Sequence, residues 1–282
     1  MKYDPMAFSC HTLPSGLRVR WQRRRDLDWF GCTLMVHAGS RDDPPGKPEL
    51  AHLLEHLLSA GTQGMPRMTL IELERWHAAQ RFVLDLGSTH PDFMSFSGKA
   101  PCAKDEAFLR LLHDMVLRPT LDSDLDKERD IIRREREESA MPEDRASLLA
   151  RGRAFFGDHP LARANCWAED DALDGLTLED ARAMHARHFD PANMTLLVSG
   201  GISEDRLLKL LEPIFAGKQD FVRPERAAPP PIIVPEPRER VNRKESGRVS
   251  RVGVSYEWIL PPARNGATRQ LVSDALQHAL SD

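Results

Sequence analysis

Several features that would place a chain in a special class of proteins are missing from this sequence. No apolar run approaches the roughly 20 residues that a membrane-spanning helix requires, and residues 1–20 lack the apolar core of a signal peptide. The net charge of -4 offers no basic field for nucleic acid. The four cysteines are too scattered for paired metal binding and fit a reducing compartment. We therefore expect a cytoplasmic protein with no membrane span and no nucleic-acid partner; a periplasmic location stays open if an export signal has been removed.

The chain is long enough to fold around a substantial core, since its 282 residues exceed one average domain. Its most informative part is a Leu-rich stretch from Pro48 to Thr62. Leucines at positions 50, 53, 54, 57 and 58 have helical periodicity, and Gly61 is a natural end for the helix. This predicted helix carries the motif His-Leu-Leu-Glu-His at positions 52–56.

The two histidines of that motif are predicted to be metal ligands. Positions four apart lie one turn above each other on the same helix face, so His52 and His56 can direct two imidazoles at one zinc ion. Glu55 can then reach a water on that ion and accept its proton. The alternative is an amphipathic helix whose polar side happens to carry these residues. However, the surrounding leucines would bury them, and buried polar groups need partners.

A second, highly charged helix is predicted from Asp122 to Ser139, and most of its charges are expected to face solvent. One stripe of this helix nevertheless contains both apolar and acidic residues: Leu125, Glu128, Ile132 and Glu135. A lone carboxylate beside apolar neighbours is costly. Glu135 is therefore predicted to be the third zinc ligand, and Glu128 a residue that orients a ligand or bears on a histidine.

The other predicted elements alternate between strands and helices. Strands are predicted directly after the turn at 13–16, over 30–37, at 93–97 after a turn at 87–89, and over 194–200. Helices are predicted over 66–80, 105–117, 146–156, 177–188 and 204–215. The histidines at 185 and 188 have no acidic or cysteine partner nearby in the sequence, so no second metal site is expected there. Prolines exclude regular structure at 224–237, and a further strand and helix follow.

Together these motifs resemble the pitrilysin/insulinase family of zinc metallopeptidases, the inverzincins. In that family, a ligand Glu follows the His-x-x-Glu-His motif on a helix about seventy to ninety residues downstream, and the step from His56 to Glu135 fits that window. The similarity covers about residues 10 to 217 through ordered matches: Leu13–Val19, Ala38–Arg41, Ala51–His56, Gly61–Thr62, His159–Pro160, Leu176–Thr177 and Phe189–Met194.

The resemblance implies a fold, a cofactor and an activity. The fold class would be α+β, a mixed but mainly antiparallel β-sheet with helices packed on one side, as in the half-shell of a pitrilysin or a processing peptidase. The cofactor would be Zn²⁺, with His52, His56 and Glu135 as ligands, Glu55 as the catalytic residue and Glu128 beside the site. The activity would be that of a zinc-dependent endopeptidase that hydrolyses peptides or small unfolded polypeptides.

One departure from the family pattern concerns domain organisation. Family members contain two related halves that enclose the peptide, and the second half supplies an Arg/Tyr pair that holds the substrate. Here residues 1–217 would form the zinc-bearing domain and 218–240 a Pro-rich linker. Residues 241–282 would be only the opening strand and helix of a second, incomplete domain. Either the chain is truncated or a second chain completes the chamber, so we expect a homo- or hetero-oligomer with a second half-shell.

Another departure lies at the edge strand that, in the family, receives the peptide by strand addition. Aligned through Thr89, this chain has Leu86 and Gly87 where the family has Asn and Ala. Loss of the Asn amide removes one hydrogen bond to the substrate, worth about 1 kcal/mol net. The metal motif itself is intact.

Two alternatives to an autonomous peptidase stay open. One is a non-autonomous or inactive subunit that pairs with a second family member to complete the chamber, although the intact zinc motif counts against it. The other is a module that only binds peptides at its sheet edge, which a zinc-free, peptide-binding protein would support.

Overall fold

The computed structural model describes residues 8–59, 61–63, 70–122, 124–139, 170–217 and 220–225. The described residues form a six-stranded sheet and seven α-helices. The strands are β1 (Ser9–Thr12), β2 (Arg18–Arg23), β3 (Trp29–Val36), β4 (Val83–Thr89), β5 (Met94–Pro101) and β6 (Met194–Gly200). The helices are α1 (Leu50–Ser59), α2 (Leu70–Gln80), α3 (Asp105–Leu117), α4 (Leu125–Ser139), α5 (Asp170–Asp174), α6 (Leu178–His188) and α7 (Glu204–Ile214).

The sheet is mixed but mainly antiparallel. Its strands lie in the order β1-β2-β6-β3-β5-β4, which places β1 and β4 at its two edges. Every neighbouring pair is antiparallel except β2 and β6, which run parallel. The predicted α+β fold with a mainly antiparallel sheet is therefore confirmed.

Strand β3 shows which face of the sheet carries the core. Its buried residues alternate with partly exposed ones and are Phe30, Cys32, Leu34 and Val36. In the centre of the sheet, Leu34 pairs with Phe96 of β5 and Leu196 of β6, and all three are fully buried. Successive side chains of a strand point to opposite faces. The core therefore lies on one face, where α3 packs against β5 and α1 packs against β4.

Helix α1 is anchored by its leucines. Each of the five predicted core positions, Leu50, Leu53, Leu54, Leu57 and Leu58, is at most 1% exposed. Full burial of one leucine side chain stabilises the fold by about 1.5–3 kcal/mol. The predicted helical periodicity is confirmed, and α1 contacts β4, α4 and α6.

Helix α4 has a much smaller buried surface. Among those of its residues whose burial is described, only Glu128, Ile132 and Arg136 are buried. The predicted stripe is thus partly correct, since Ile132 and Glu128 face inward while Leu125 and Glu135 are half-buried. Among the residues of α4 whose burial is described, the exposed side chains are all charged, as expected: Asp126, Lys127, Asp130, Arg134, Glu137 and Glu138.

The backbone of a turn at residues 174–176 binds a side chain of α4 and a side chain of the loop that precedes α1. Arg129 of α4 donates to the carbonyl oxygen of Asp174 at 2.8 Å and to that of Leu176. Lys47, in the loop before α1, donates to the carbonyl oxygen of Gly175 at 3.2 Å. Three consecutive backbone carbonyls therefore bind side chains from two separate segments.

The sheet differs from the sequence-based expectation at one turn and contains one strand that was not predicted. Residues 87–89, expected to form a turn, are the end of β4, whose pairing with β5 shifts register between Asp85 and Ser88. This irregularity, with Gly87 at φ +149°, breaks the alternation on which a strand prediction depends. The sequence also carries no clear signal for β1, a strand of four residues at the edge of the sheet.

Some of the remaining predicted helices and strands are observed, and others lie outside the described residues. Helix α3 matches its predicted bounds, and Thr177 caps α6 through a reciprocal hydrogen-bonded box with Asp180. The predicted helix at 146–156 and the strand and helix beyond the Pro-rich segment lie outside the described residues. Among the helices that the structure describes, none is both long enough and apolar enough to cross a membrane.

Candidate metal centre

Two histidines of α1 point at the same region of space. His52 and His56 are one helical turn apart, and their side chains are 15% and 11% exposed. Their Nε2 atoms lie 3.3 Å apart, and the rings meet edge to face. The leucines on the opposite side of α1 fix this orientation, because they bind the helix to the core.

Glu135 of α4 brings a carboxylate to the same point. Its Oε2 atom lies 3.6 Å from Nε2 of His52 and 3.3 Å from Nε2 of His56. Donor atoms of a tetrahedral zinc site, with bonds of about 2.0–2.1 Å, are separated by roughly 3.3 Å. The three donors therefore fit a zinc ion in both chemistry and spacing. Among the described residues, they are the only group of His, Cys, Asp and Glu side chains that could hold a metal ion.

Two further acidic residues lie beside the Nδ1 atoms of these histidines. Glu128 is buried in α4, with Oε2 3.8 Å from Nδ1 of His56. Glu49 precedes α1 directly, with Oε2 2.9 Å from Nδ1 of His52. Glu128 was predicted from the sequence, and Glu49 was not. No spacing rule pointed to Glu49, because it precedes α1 and its backbone is left-handed, with φ +71°.

The carboxylates strongly affect protonation at the site. Burial is the largest single influence on the pKa of His52 and acts to lower it, but the carboxylates of Glu135 and Glu49 outweigh it and raise the pKa to about 9. The neighbouring His52 side chain in turn holds the pKa of Glu135 below its usual range. A metal ion requires a neutral imidazole, so zinc and protons compete for the same nitrogen atoms.

Asp43 holds the beginning of α1. Its Oδ1 atom accepts a hydrogen bond from the backbone N–H of Ala51 at 2.8 Å, which satisfies one free donor of the first helical turn. Burial is the main cause that raises the pKa of Asp43 to about 7, and the neighbouring charge of Glu49 adds to it. Nothing in the sequence pointed to Asp43, because the loop that brings it to the helix has no periodicity.

Glu55 lies on α1 and contacts strand β4. The hydroxyl of Thr89 donates to Oε2 of Glu55 at 2.7 Å. A β-carbon at Gly87 would lie 2.6 Å from Cγ of Glu55, so the absence of a side chain there leaves the room that Glu55 occupies. Strand β4 thus determines where this carboxylate sits.

The other histidine pair considered in the sequence serves a structural role. His185 Nε2 bonds the carbonyl oxygen of Val116 at 2.9 Å, and the ring stacks on Phe189. His188 is buried at the end of α6. Neither residue belongs to the metal-binding group found among the described residues.

Comparison with known proteins identifies the family. The family model for Insulinase (Peptidase family M16) matches residues 28–166, and the model for Peptidase M16 inactive domain matches residues 175–282. Coenzyme PQQ synthesis protein F of Pseudomonas aeruginosa is 30% identical over 240 residues, which cover 83% of this chain and 30% of that protein. An uncharacterized zinc protease of Mycobacterium leprae is 27% identical over 246 residues, covering 85% of this chain and 50% of its own.

A two-subunit enzyme is also represented among the relatives. The probable mitochondrial-processing peptidase subunit beta of Schizosaccharomyces pombe is 26% identical over 206 residues, covering 72% of this chain and 44% of the subunit. The chain thus spans half or less of the length of these curated relatives.

Solved structures have the same fold. The first half of the periplasmic protease PqqL from Escherichia coli superposes with a TM-score of 0.69 at 19% identity, covering 79% of this chain and 48% of that one. Pitrilysin superposes with a TM-score of 0.67 at 18% identity, covering 80% of this chain and 24% of its own.

These matches agree with the donor group in the structure. Several relatives are named zinc proteases, and the described residues bring together two imidazoles and a carboxylate that can hold zinc. The predicted cofactor, Zn²⁺, is therefore confirmed. The chain belongs to the pitrilysin/insulinase family of zinc peptidases, peptidase family M16.

Proposed function

We propose that this chain is the zinc-bearing part of a metalloendopeptidase that hydrolyses peptides or small unfolded polypeptides. One observation carries the proposal: His52, His56 and Glu135 converge from two helices at mutual distances of 3.3 to 3.6 Å. Two imidazoles and a carboxylate are a common ligand set of catalytic zinc sites, in which the fourth position stays open.

In this proposal His52, His56 and Glu135 hold the zinc ion and Glu55 is the general base. Zinc, when bound, supplies a Lewis acid that polarises a carbonyl and lowers the pKa of water. Glu55 accepts the proton of the attacking water and returns it to the leaving amine. The hydroxyl of Thr89 holds Oε2 of Glu55, which leaves the other carboxylate oxygen for the proton.

We place the substrate along β4. This strand forms one edge of the described sheet, and its residue Val83 is 52% exposed. An extended peptide can add to such an edge through backbone hydrogen bonds. Leu86 and Gly87 stand where the resemblance leads us to expect Asn and Ala, so we expect fewer polar contacts to the peptide than in the family pattern.

A complete chamber requires more than the part described in this structure. The relatives are at least about twice as long as the matched region, and one of them is a named subunit of a processing peptidase. We therefore propose that a second half-shell, in the same or another chain, completes the site. The alternative to an active peptidase is a non-autonomous or inactive subunit that pairs with a second family member.

We expect a cytoplasmic location for this protein. Cell fractionation would distinguish it from a periplasmic location, which is the one named for PqqL.

Metal analysis combined with a peptide-library digest tests the proposal. The parent protein should bind one zinc ion. It should cleave peptides either alone or after addition of the protein encoded by a neighbouring homologous gene. Glu55→Gln should retain the zinc and abolish cleavage, because the amide cannot accept the proton. A Gln variant that cleaves as fast as the parent would overturn the assignment of Glu55. Zinc binding without cleavage, even with the partner present, would favour the inactive subunit.

A further inference from the structure

Glu49 combines an unfavourable backbone with an ordered side chain. Its φ of +71° lies in the left-handed region that favours glycine and costs other residues free energy. Its carbonyl oxygen accepts from the N–H of Leu53 at 2.9 Å, so the chain enters α1 in this conformation. Its carboxylate is nevertheless only 13% exposed and lies 2.9 Å from Nδ1 of His52.

We propose that Glu49 is a positioning residue for the metal centre, which holds His52 in the one tautomer and ring orientation that can bind zinc. The inference rests on the proposed role of His52 as a ligand. It assigns to Glu49 a function that a glycine at the same position, despite its better backbone fit, would not have.

The two ring nitrogens of His52 face different groups. Nδ1 lies against the Glu49 carboxylate, and Nε2 lies 3.3 Å from Nε2 of His56 and 3.6 Å from Glu135. A carboxylate only accepts hydrogen bonds, so Nδ1 carries the hydrogen in the neutral ring. The lone pair is then on Nε2, which faces the other two donors. A carboxylate that holds the far nitrogen of a ligand histidine fixes its tautomer and increases its basicity.

The second ligand histidine provides a comparison within the same site. The carboxylate nearest Nδ1 of His56 belongs to Glu128 and is 3.8 Å away, which exceeds hydrogen-bonding distance. Nδ1 of His52 therefore has a carboxylate within hydrogen-bonding distance, whereas the carboxylate beside Nδ1 of His56 is farther away. We expect Glu49 to contribute more to zinc affinity than its position outside the His-x-x-Glu-His motif would suggest.

Glu49→Gly tests the inference because it removes the carboxylate and relieves the backbone at once. The dissociation constant for zinc, measured by competition with a chromophoric chelator, should rise by about ten- to a hundredfold. Arg81→Gly is the matched control. Arg81 also has a positive φ, 61°, but lies in the turn between α2 and β4, so its zinc affinity should stay within about twofold of the parent.

Two further measurements separate positioning from folding. Glu49→Gln keeps an acceptor oxygen and should restore most of the affinity lost in Glu49→Gly. In the zinc-loaded parent, the Nδ1–H proton of His52 should give a slowly exchanging downfield NMR signal that disappears in Glu49→Gly. Urea unfolding of the zinc-free proteins identifies a variant that fails to fold.

The outcomes distinguish this inference from the proposed function. A parent protein that binds no stoichiometric zinc would overturn the ligand assignment and with it the inference. If the parent binds zinc and folded Glu49→Gly binds it as tightly, within about twofold, Glu49 has no positioning role and the proposed function stands.

Discussion

Helices α1 and α4 both supply donors to the metal-binding group, yet different forces hold them in place. Five leucines of α1 are at most 1% exposed, whereas the described part of α4 buries one aliphatic residue, Ile132. The donors reflect this difference: the histidines are 15% and 11% exposed and Glu135 is 43% exposed. The core thus fixes one side of the site, and polar contacts near the surface fix the other.

Because α1 and α4 differ in burial, substitutions in the two helices should affect folding and metal binding differently. A change in the buried face of α1 should affect the stability of the whole protein and the site together. A change on the exposed side of α4 should affect the site and leave the fold intact. Three predictions test this comparison, in order of decreasing effect.

Leu54→Ala should cause the largest loss of stability. Its side chain is fully buried, so truncation removes apolar contacts and leaves a cavity, which costs about 2–5 kcal/mol of unfolding free energy. Ile131→Ala, a truncation of a partly exposed residue of α4, should cost about 1 kcal/mol or less. Urea denaturation of the zinc-free proteins measures both. Equal losses for the two variants would contradict the comparison.

Asp43→Asn should change how stability depends on pH. The pKa of Asp43 is raised to about 7 in the folded protein, so the folded state holds an extra proton between the unfolded pKa and about pH 7. The stability contributed by this proton is present at low pH and is lost as the pH rises through that range. Relative to the parent, Asp43→Asn should therefore be more stable at about pH 8 than at about pH 5, by roughly 2–3 kcal/mol.

Urea denaturation of chelator-treated protein at the two pH values measures this difference. Subtraction of the parent at each pH removes the contributions of the other titrating groups, and comparison of the two pH values then cancels the direct cost of the amide. A difference between the variant and the parent that is the same at both pH values would show that Asp43 does not titrate in this range.

Glu135→Ala should weaken zinc binding by about 100-fold or more, because one of three protein ligands is lost. The unfolding free energy of the zinc-free protein should change by less than about 1 kcal/mol, since this carboxylate is 43% exposed. Metal analysis after dialysis and urea denaturation provide the two values. Glu138→Ala, an exposed acidic residue of the same helix, is the control and should retain the metal. Stoichiometric zinc in Glu135→Ala would remove Glu135 from the ligand set.

The part of the site that depends on helical spacing could be predicted from the sequence. Residues four apart share a helix face, so the convergence of His52 and His56 followed from the motif. The stripe that includes Ile132 likewise indicated that Glu128 faces inward. The meeting of α1 with α4 came from the family resemblance, because periodicity within one helix does not determine which helix packs against it.

Other parts of the site depend on backbone conformations that the sequence does not show. Strand β4 has a register shift beside Gly87, which hid the strand and its contact with Glu55. Glu49 has a left-handed backbone that is unusual for its residue type. Asp43 reaches the start of α1 from an irregular loop. Hydrophobic periodicity predicts regular helices and strands only. Contacts that depend on irregular backbone geometry are therefore seen only in the structure.

The turn at residues 174–176 has a consequence for which substitutions the protein tolerates there. The oxygens that bind Lys47 and Arg129 are main-chain atoms, so these contacts do not depend on which side chains the turn carries. The turn lies at the start of the second family match, which begins at residue 175, whereas the first ends at residue 166. Substitutions that keep the backbone path of this turn should therefore preserve its contacts to the loop before α1 and to α4.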